Sequence, residues 1–400
     1  MRFDKLSIEK LITSMYIFIN LYLGIMILKN QMYYGDFLYQ PLKLNKEIVV
    51  LFILMNTLLF SGFYFLYKKI KIKLPLKRYS FSLNINKLNI FFLVIIIIQI
   101  LFYLKTGIGK VGTIKNNNFS FIFNLFNLDC FFLFYYIIAR KKNFLYIFNT
   151  LLCITYYLMR GWTGIFLYIF IIEGSLFLNK RNLSNIYIIF IVPILVLGGK
   201  IYQYLYILKF YIRRNMIFQV TFLDGINHLL ERLSIISNSL MGFQNAELIK
   251  NLYLEQNLKY VEIISFFRPF TPSFLFDKNF KILNNLIISS VFGNSDNNSY
   301  VIGFISYIYN LYNIGIKELV LWTIFFLVVF LLYIKLVMFF IKATEKKELK
   351  ILIYIYILEL CNGGSLEMNN YGWPKIYFLI LIFLIFGIVK VYRKNKKGEK

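Results

Sequence analysis

LNIFFLVIIIIQILFYL, residues 88–104, contains no charged side chain. As a helix rising 1.5 Å per residue, about 20 residues of this kind cross a hydrocarbon core of about 30 Å. Comparable runs recur on either side, at Leu11–Leu28, Ile48–Tyr67 and Trp322–Tyr333. The whole chain has 400 residues, of which 59% are apolar, 20% aromatic and only 16% charged. Spans are expected at 11–28, 48–67, 88–104, 118–138, 143–159, 161–178, 186–206, 318–341, 350–361 and 374–390. About ten spans of roughly 20 residues would place about half the chain in lipid. That excludes a soluble globular enzyme and a nucleic-acid-binding module. The expected fold is all-α and polytopic.

The formal charge of +26 arises from 45 Lys and Arg against 19 Asp and Glu. In a membrane protein this excess belongs to the loops kept on the cytoplasmic side. With the N-terminus inside, Lys68, Lys69, Lys71, Lys73, Lys77, Arg78 and Lys87 share one inner loop. Arg140–Lys142, Lys180–Arg181, Lys342–Lys350 and a basic tail from Lys390 to Lys400 also fall inside. Trp162, Trp322 and Trp373 then mark the outer ends of spans, where an aromatic belt would lie. No cleavable leader is expected, since Met1–Lys10 carries acids and the next run is long enough to remain as a span. Cys130, Cys153 and Cys361 fall in or beside spans and imply neither disulfides nor a metal cluster.

Three regions follow: 1–207 with about seven spans, 208–299 as a large external loop, and 300–400 with about three spans. The loop is nearly neutral, and Phe222–Leu240 repeats its apolar residues every three or four. Long ordered loops are usually functional, so the active face is expected there. His228 is the only histidine and is read as a helix-surface residue. No Gly-x-Ser-x-Gly elbow and no Walker-type phosphate loop is present. Before the loop, Pro193, Gly198 and Gly199 suggest a broken seventh span, with Lys200 near the outer boundary. Arg213, Arg214, Arg232 and Arg268 are candidate phosphate ligands, since arginine offers a planar two-donor fork. Arg232 also has nearby acids, Glu231 or Glu262, with which to pair.

Two further patterns flank the loop. Arg160-Gly161-Trp162-Thr163-Gly164 makes a tight outer turn between the fifth and sixth spans. Asp296-Asn297-Asn298-Ser299-Tyr300 leads through a short amphipathic stretch to Asn313-Ile314-Gly315-Ile316. That stretch reads as a re-entrant or interfacial helix, N-capped by Asp296 or Asn297.

Taken together, the basic-small turn, the arginine-bearing outer loop and the polar cap leading to Gly-Ile resemble the O-antigen and capsular repeat-unit polymerases of the Wzy type, relatives of the O-antigen ligases. The resemblance implies glycosyl transfer, without metal or cofactor, at the outer face of a bacterial cytoplasmic (inner) membrane. An undecaprenyl-diphosphate-linked oligosaccharide would be the substrate, with membrane lipid around it and a chain-length regulator as a protein partner. Arg232, Arg268 and Asp296 are then the expected catalytic residues, with Arg160, Arg213, Arg214, Asn297 and Asn298 binding substrate. Related ligases often carry a histidine at the cap matched by Asn297 or Asn298, so the general base falls to Asp296 or Glu231. Competing readings are a flippase for the same lipid-linked sugar, for which Asp129 in the fourth span is the best feature, and a ligase. A membrane acyltransferase would want a histidine within a span, and His228 is not in one.

Overall fold

The computed structural model describes residues 6–38, 40–70, 79–107, 128–140, 143–180, 191–214, 219–267, 280–293, 301–364 and 373–393. In chain order the first helices are α1 (Ile8–Asn30), α2 (Lys46–Lys69), α3 (Ile85–Thr106), α4 (Leu128–Ile138), α5 (Phe144–Arg160), α6 (Ile165–Lys180) and α7 (Ile191–Arg214). The long break in hydrophobicity holds α8 (Phe222–Leu233), α9 (Ile236–Gln244), α10 (Ala246–Leu254), α11 (Val261–Phe267) and α12 (Leu283–Phe292). Then come α13 (Phe304–Ile314), α14 (Ile316–Thr344), α15 (Ile351–Gly363) and α16 (Trp373–Ile385). Strands β1 (Tyr79–Leu83) and β2 (Val389–Arg393) pair antiparallel. The fold is all-α apart from that ribbon.

Among the described residues, α1, α2, α3 and α14 are long and apolar enough to cross a membrane. Shorter apolar helices, including α4, α5, α6 and α16, stand beside them, so ten full-length spans are not seen. Residues 118–127 of the fourth expected span lie outside the described residues. The outward faces are oily: Leu54, Leu58 and Phe65 on α2, Leu101 and Leu104 on α3, and Ile324 and Leu331 on α14 are each more than half exposed. Apolar surface on this scale suits lipid rather than water. By contrast α15 is buried on all sides from Ile351 to Leu358 and packs against α2, α6, α13 and α14. A helix apolar all round belongs at the centre.

The segments expected on the inner side meet at one end. β1 runs beside β2 with Tyr79 opposite Arg393 and Leu83 opposite Val389. The tenth span therefore stops at Ile385 rather than running to 390, and its tail becomes a strand. Tyr67 donates to Glu9 at 2.9 Å, and the Lys350 ammonium sits 4.6 Å from the Tyr67 ring centre. Lys346 closes the C-terminus of α4 by donating to the carbonyls of Ile137 and Ile138 at 2.9 and 2.8 Å. Arg140 pairs with Glu173 of α6.

At the opposite end the loop expected outside folds into the body. α9 is largely buried and packs on α1, α2 and α13, with the Ile235 amide donating to Asn20 of α1 at 3.0 Å. The boundary drawn at 207 falls within α7, which runs unbroken to Arg214. The expected break at Gly198-Gly199 does not occur. These glycines instead let α8 approach closely, since a Cβ on Gly199 would lie 2.4 Å from Ile226 and one on Gly225 2.8 Å from the Gly199 carbonyl. Lys200 is exposed and lies over the rings of Tyr204 and Phe222. The tryptophan belt is also revised: Trp322 and Trp373 are buried among Phe326, Tyr307, Tyr333 and Tyr356, facing protein. The short helix before Gly315 is present as α13, but Gly303 occupies its N-cap instead of Asp296 or Asn297.

Candidate functional site

Arg160 is the last residue of α5, and Gly161 follows in the left-handed region at φ 75°, where a side chain would be strained. This cap turns the chain within a few residues into α6 and fixes the guanidinium at the end of α5. Arg160 donates to the Asp129 carboxylate of α4 at 2.8 Å. Their side chains are 13% and 23% exposed, so the pair is neither in bulk water nor sealed off. The rings of Tyr156 and Tyr157 flank the guanidinium at 5.3 and 6.0 Å. The shell behind it is hydrogen-bonded across three helices. Tyr135, Asn89 and Asn149 form a closed hydrogen-bonded triangle across α3, α4 and α5, and Tyr103 donates to the Met159 carbonyl at 2.6 Å.

Three more charged or polar elements converge there. Lys375, in the first turn of α16, is 2% exposed and within electrostatic reach of Asp129. Glu359, one turn before the end of α15, accepts a hydrogen bond from Tyr168 in the first turn of α6. Tyr168 also senses Asp129, and Cys130 is within electrostatic reach of both Asp129 and Glu359. Asn362 hydrogen-bonds the Tyr16 hydroxyl of α1. Asp129, Cys130, Arg160, Tyr168, Glu359 and Asn362 are all half-buried, which makes the cluster a crevice rather than a sealed core. Two acids and two bases share it. Charges in such surroundings persist only when paired or functional.

α11, α12 and the residues that open α13 form the crevice's rim. The Gly303 amide donates to the Asn362 carbonyl at 3.1 Å, and Asn284 of α12 donates to the Gly363 carbonyl at 3.2 Å. Tyr307 of α13 rests against Gly364 and donates its hydroxyl to Glu262 of α11. Glu262 is 1% exposed and also accepts from the Leu283 amide at 2.7 Å. So α11, α12 and α13 are tied to the carbonyl end of α15, the helix that carries Glu359.

Of the residues expected from sequence, Arg160 is thus placed in the crevice. Arg232 lies on the exposed side of the last turn of α8. Arg213 and Arg214 end α7, and their side chains are not among those described. Arg268, Asp296, Asn297 and Asn298 lie outside the described residues. Glu231, the other candidate base, approaches His228 at 3.2 Å, and the His228 ring stacks on Tyr206 at 4.4 Å. Asp129, the charge noted in the fourth expected span, pairs with Arg160 of the neighbouring helix α5. Sequence reasoning missed Glu359, Lys375, Tyr168 and Asn362. The signal was available for two of them, because Glu359 and Lys375 are charges within expected spans, the same feature that drew attention to Asp129.

No protein-family model matches the chain, and neither does any curated protein or solved structure compared with it.

Proposed function

We propose that this protein polymerises lipid-linked oligosaccharide repeat units at the outer face of a bacterial cytoplasmic membrane. The observation that carries the reading is the placement of Arg160 and Lys375 beside Asp129, in a half-open crevice roofed by an ordered loop. In the transfer, the bond from the anomeric carbon to the diphosphate oxygen breaks, and negative charge develops on that oxygen. Preorganised cations among apolar walls stabilise such charge far better than cations in water. The diphosphate brings the negative charge that Asp129 supplies in its absence. On this reading Arg232, Arg268, Arg213 and Arg214 are further phosphate ligands offered by the sequence, and Asp296, Asn297 and Asn298 are further polar contacts to substrate. The long apolar helices hold the polyprenyl chain in lipid while its headgroup enters from the outer side.

A flippase for the same lipid-linked sugar is the second reading. Asp129, Arg160, Glu359 and Lys375 inside an apolar bundle are also what a transport pathway requires. The surface-polysaccharide ladder of a strain lacking the gene separates the two. A single-repeat product, restored to a ladder by the intact gene, supports polymerisation. Complete absence of surface polysaccharide overturns it in favour of a flippase or ligase.

A further inference from the structure

The last turns of α15 form a second compartment of the crevice, distinct from the Arg160–Lys375 wall. Glu359 and Asn362 are three residues apart and therefore share a helix face. Glu359 holds the Tyr168 hydroxyl, and the Asn362 side chain is bonded to the Tyr16 hydroxyl. The Asn362 Oδ1 atom is nevertheless buried without any hydrogen-bond partner. A buried acceptor left unsatisfied costs about 1–3 kcal/mol, so a hydroxyl donor reaching this oxygen would be favoured. A carboxylate and an amide oxygen on one helix face, each neighboured by a phenol hydroxyl from another helix, form a set suited to a polyhydroxylated ligand. Phosphate does not fit it, since two of these groups only repel an anion. The cations lie instead toward Asp129.

We infer that Glu359 and Asn362 bind the acceptor sugar of an incoming repeat unit, and that Glu359 takes the proton from its attacking hydroxyl. This assignment rests on the polymerase reading. The acceptor oxygen forms its bond to the anomeric carbon of the donor chain as the bond from that carbon to the diphosphate oxygen breaks. The bonding pair leaves with the polyprenyl diphosphate, and the hydroxyl proton passes to the Glu359 carboxylate. Asn362 accepts a neighbouring hydroxyl and fixes which oxygen faces the donor. Tyr168 keeps the Glu359 carboxylate in place. Deep sites of this kind serve catalysis because the base is positioned before the substrate arrives.

The test uses the full-length protein in lipid vesicles and the single-repeat lipid-linked units extracted from the deletion strain. Glu359→Gln is expected to slow chain extension by about 10²–10⁴-fold, the usual contribution of a general base, with unit binding retained. Wild-type extension by that variant overturns the assignment and leaves the polymerase reading intact. If Glu359→Gln does not accumulate, Glu359→Asp replaces it: the carboxylate withdraws by one methylene, and a wild-type rate would again overturn the assignment. An independent arm uses the unaltered chain. Cys130 is half-buried in the crevice whereas Cys153 and Cys361 are buried, so a small thiol reagent followed by peptide mapping reports on Cys130. Added units are expected to protect it severalfold, and unchanged labelling overturns the pocket. Unaltered protein that makes no chains but shows protected Cys130 sinks polymerisation while keeping the sugar pocket.

Discussion

The two ends of this bundle use charge in opposite ways. At the inner end, Lys68, Lys69 and Lys347 are exposed, and the described contacts there are structural: a β-ribbon, a capped helix, an Arg140–Glu173 pair at the surface. At the end expected outside, Asp129, Arg160, Glu359 and Lys375 are drawn inward among tyrosines and a buried tryptophan. Solvated charges at a membrane boundary cost little and fix orientation. Charges held among apolar walls cost several kcal/mol each unless matched, and are retained where they act. On the proposed reading, the number of charges marks the cytoplasmic side, whereas burial of charges marks the chemistry.

The contrast breaks most visibly if the two ends do not face opposite compartments. Asn257→Cys, on the exposed loop after α10, should react with an impermeant maleimide in intact or outer-membrane-permeabilised cells. Lys347→Cys, exposed beside α15, should react only after the cytoplasmic membrane is opened. Lys347 is the better inner probe than Lys346, because Lys346 is engaged with the end of α4. Labelling of position 347 alone in intact cells would reverse the bundle and remove the crevice from the outer face.

Next in size is the loss of Arg160. Arg160→Ala should cut chain extension by roughly a hundredfold to a thousandfold, the equivalent of about 2.7–4 kcal/mol at one anion contact. Arg160→Lys keeps the charge but loses the planar fork, so partial activity is expected. Asp129→Asn removes only the resting counter-charge and should retain extension when protein level is matched. Complete loss in Asp129→Asn at normal abundance would turn the outer cluster into a proton pathway and favour transport. The readout throughout is the ladder in the complemented deletion strain.

What the sequence made legible follows the same division. Long uncharged runs announced α1, α2, α3 and α14 within a few residues, because lipid imposes one length on all of them. The Arg160-Gly161 turn was also readable, since a basic residue before a glycine is a helix end with a mechanism. Glu359 and Lys375 were passed over because averaging over a window hides one charge among many Leu and Ile. The β-ribbon joins segments at opposite ends of the chain, each reading merely as a basic stretch. Trp322 and Trp373 were taken as belt residues because the sequence marks depth in the bilayer but not the side of the helix. Gly198 and Gly199 were read as a break, although close helix packing demands the same residues.

A smaller effect sharpens the inner half of the contrast. Lys346 caps two carbonyls at the end of α4, where a cation offsets the helix dipole. Lys346→Met should lower the stability of the purified protein by about 1–2 kcal/mol while leaving chain extension per molecule unchanged. A drop in the specific rate at matched folding would show that the inner end reaches the chemistry after all.

The smallest effect lies in the loop. Thr221 and Asp224 form a capping box at the start of α8, with Asp224 accepting from both the Thr221 amide and its hydroxyl. Those bonds favour the ionised form and hold the Asp224 carboxyl below its ordinary value of 3.8. A group whose folded value is depressed lends stability above its unfolded value and loses it as pH falls through the folded one. Asp224 is fully exposed, so solvent screens the gain and only a slight shift is expected. Asp224→Asn should therefore melt marginally earlier than the parent near neutral pH, and the gap should close once the medium is acidic enough to protonate Asp224. A gap of constant size down to the lowest pH at which the protein stays folded would show that the carboxylate's charge plays no part in the cap. The box would then act through hydrogen-bond geometry alone, and the loop's acids would join the inner lysines as solvated charge.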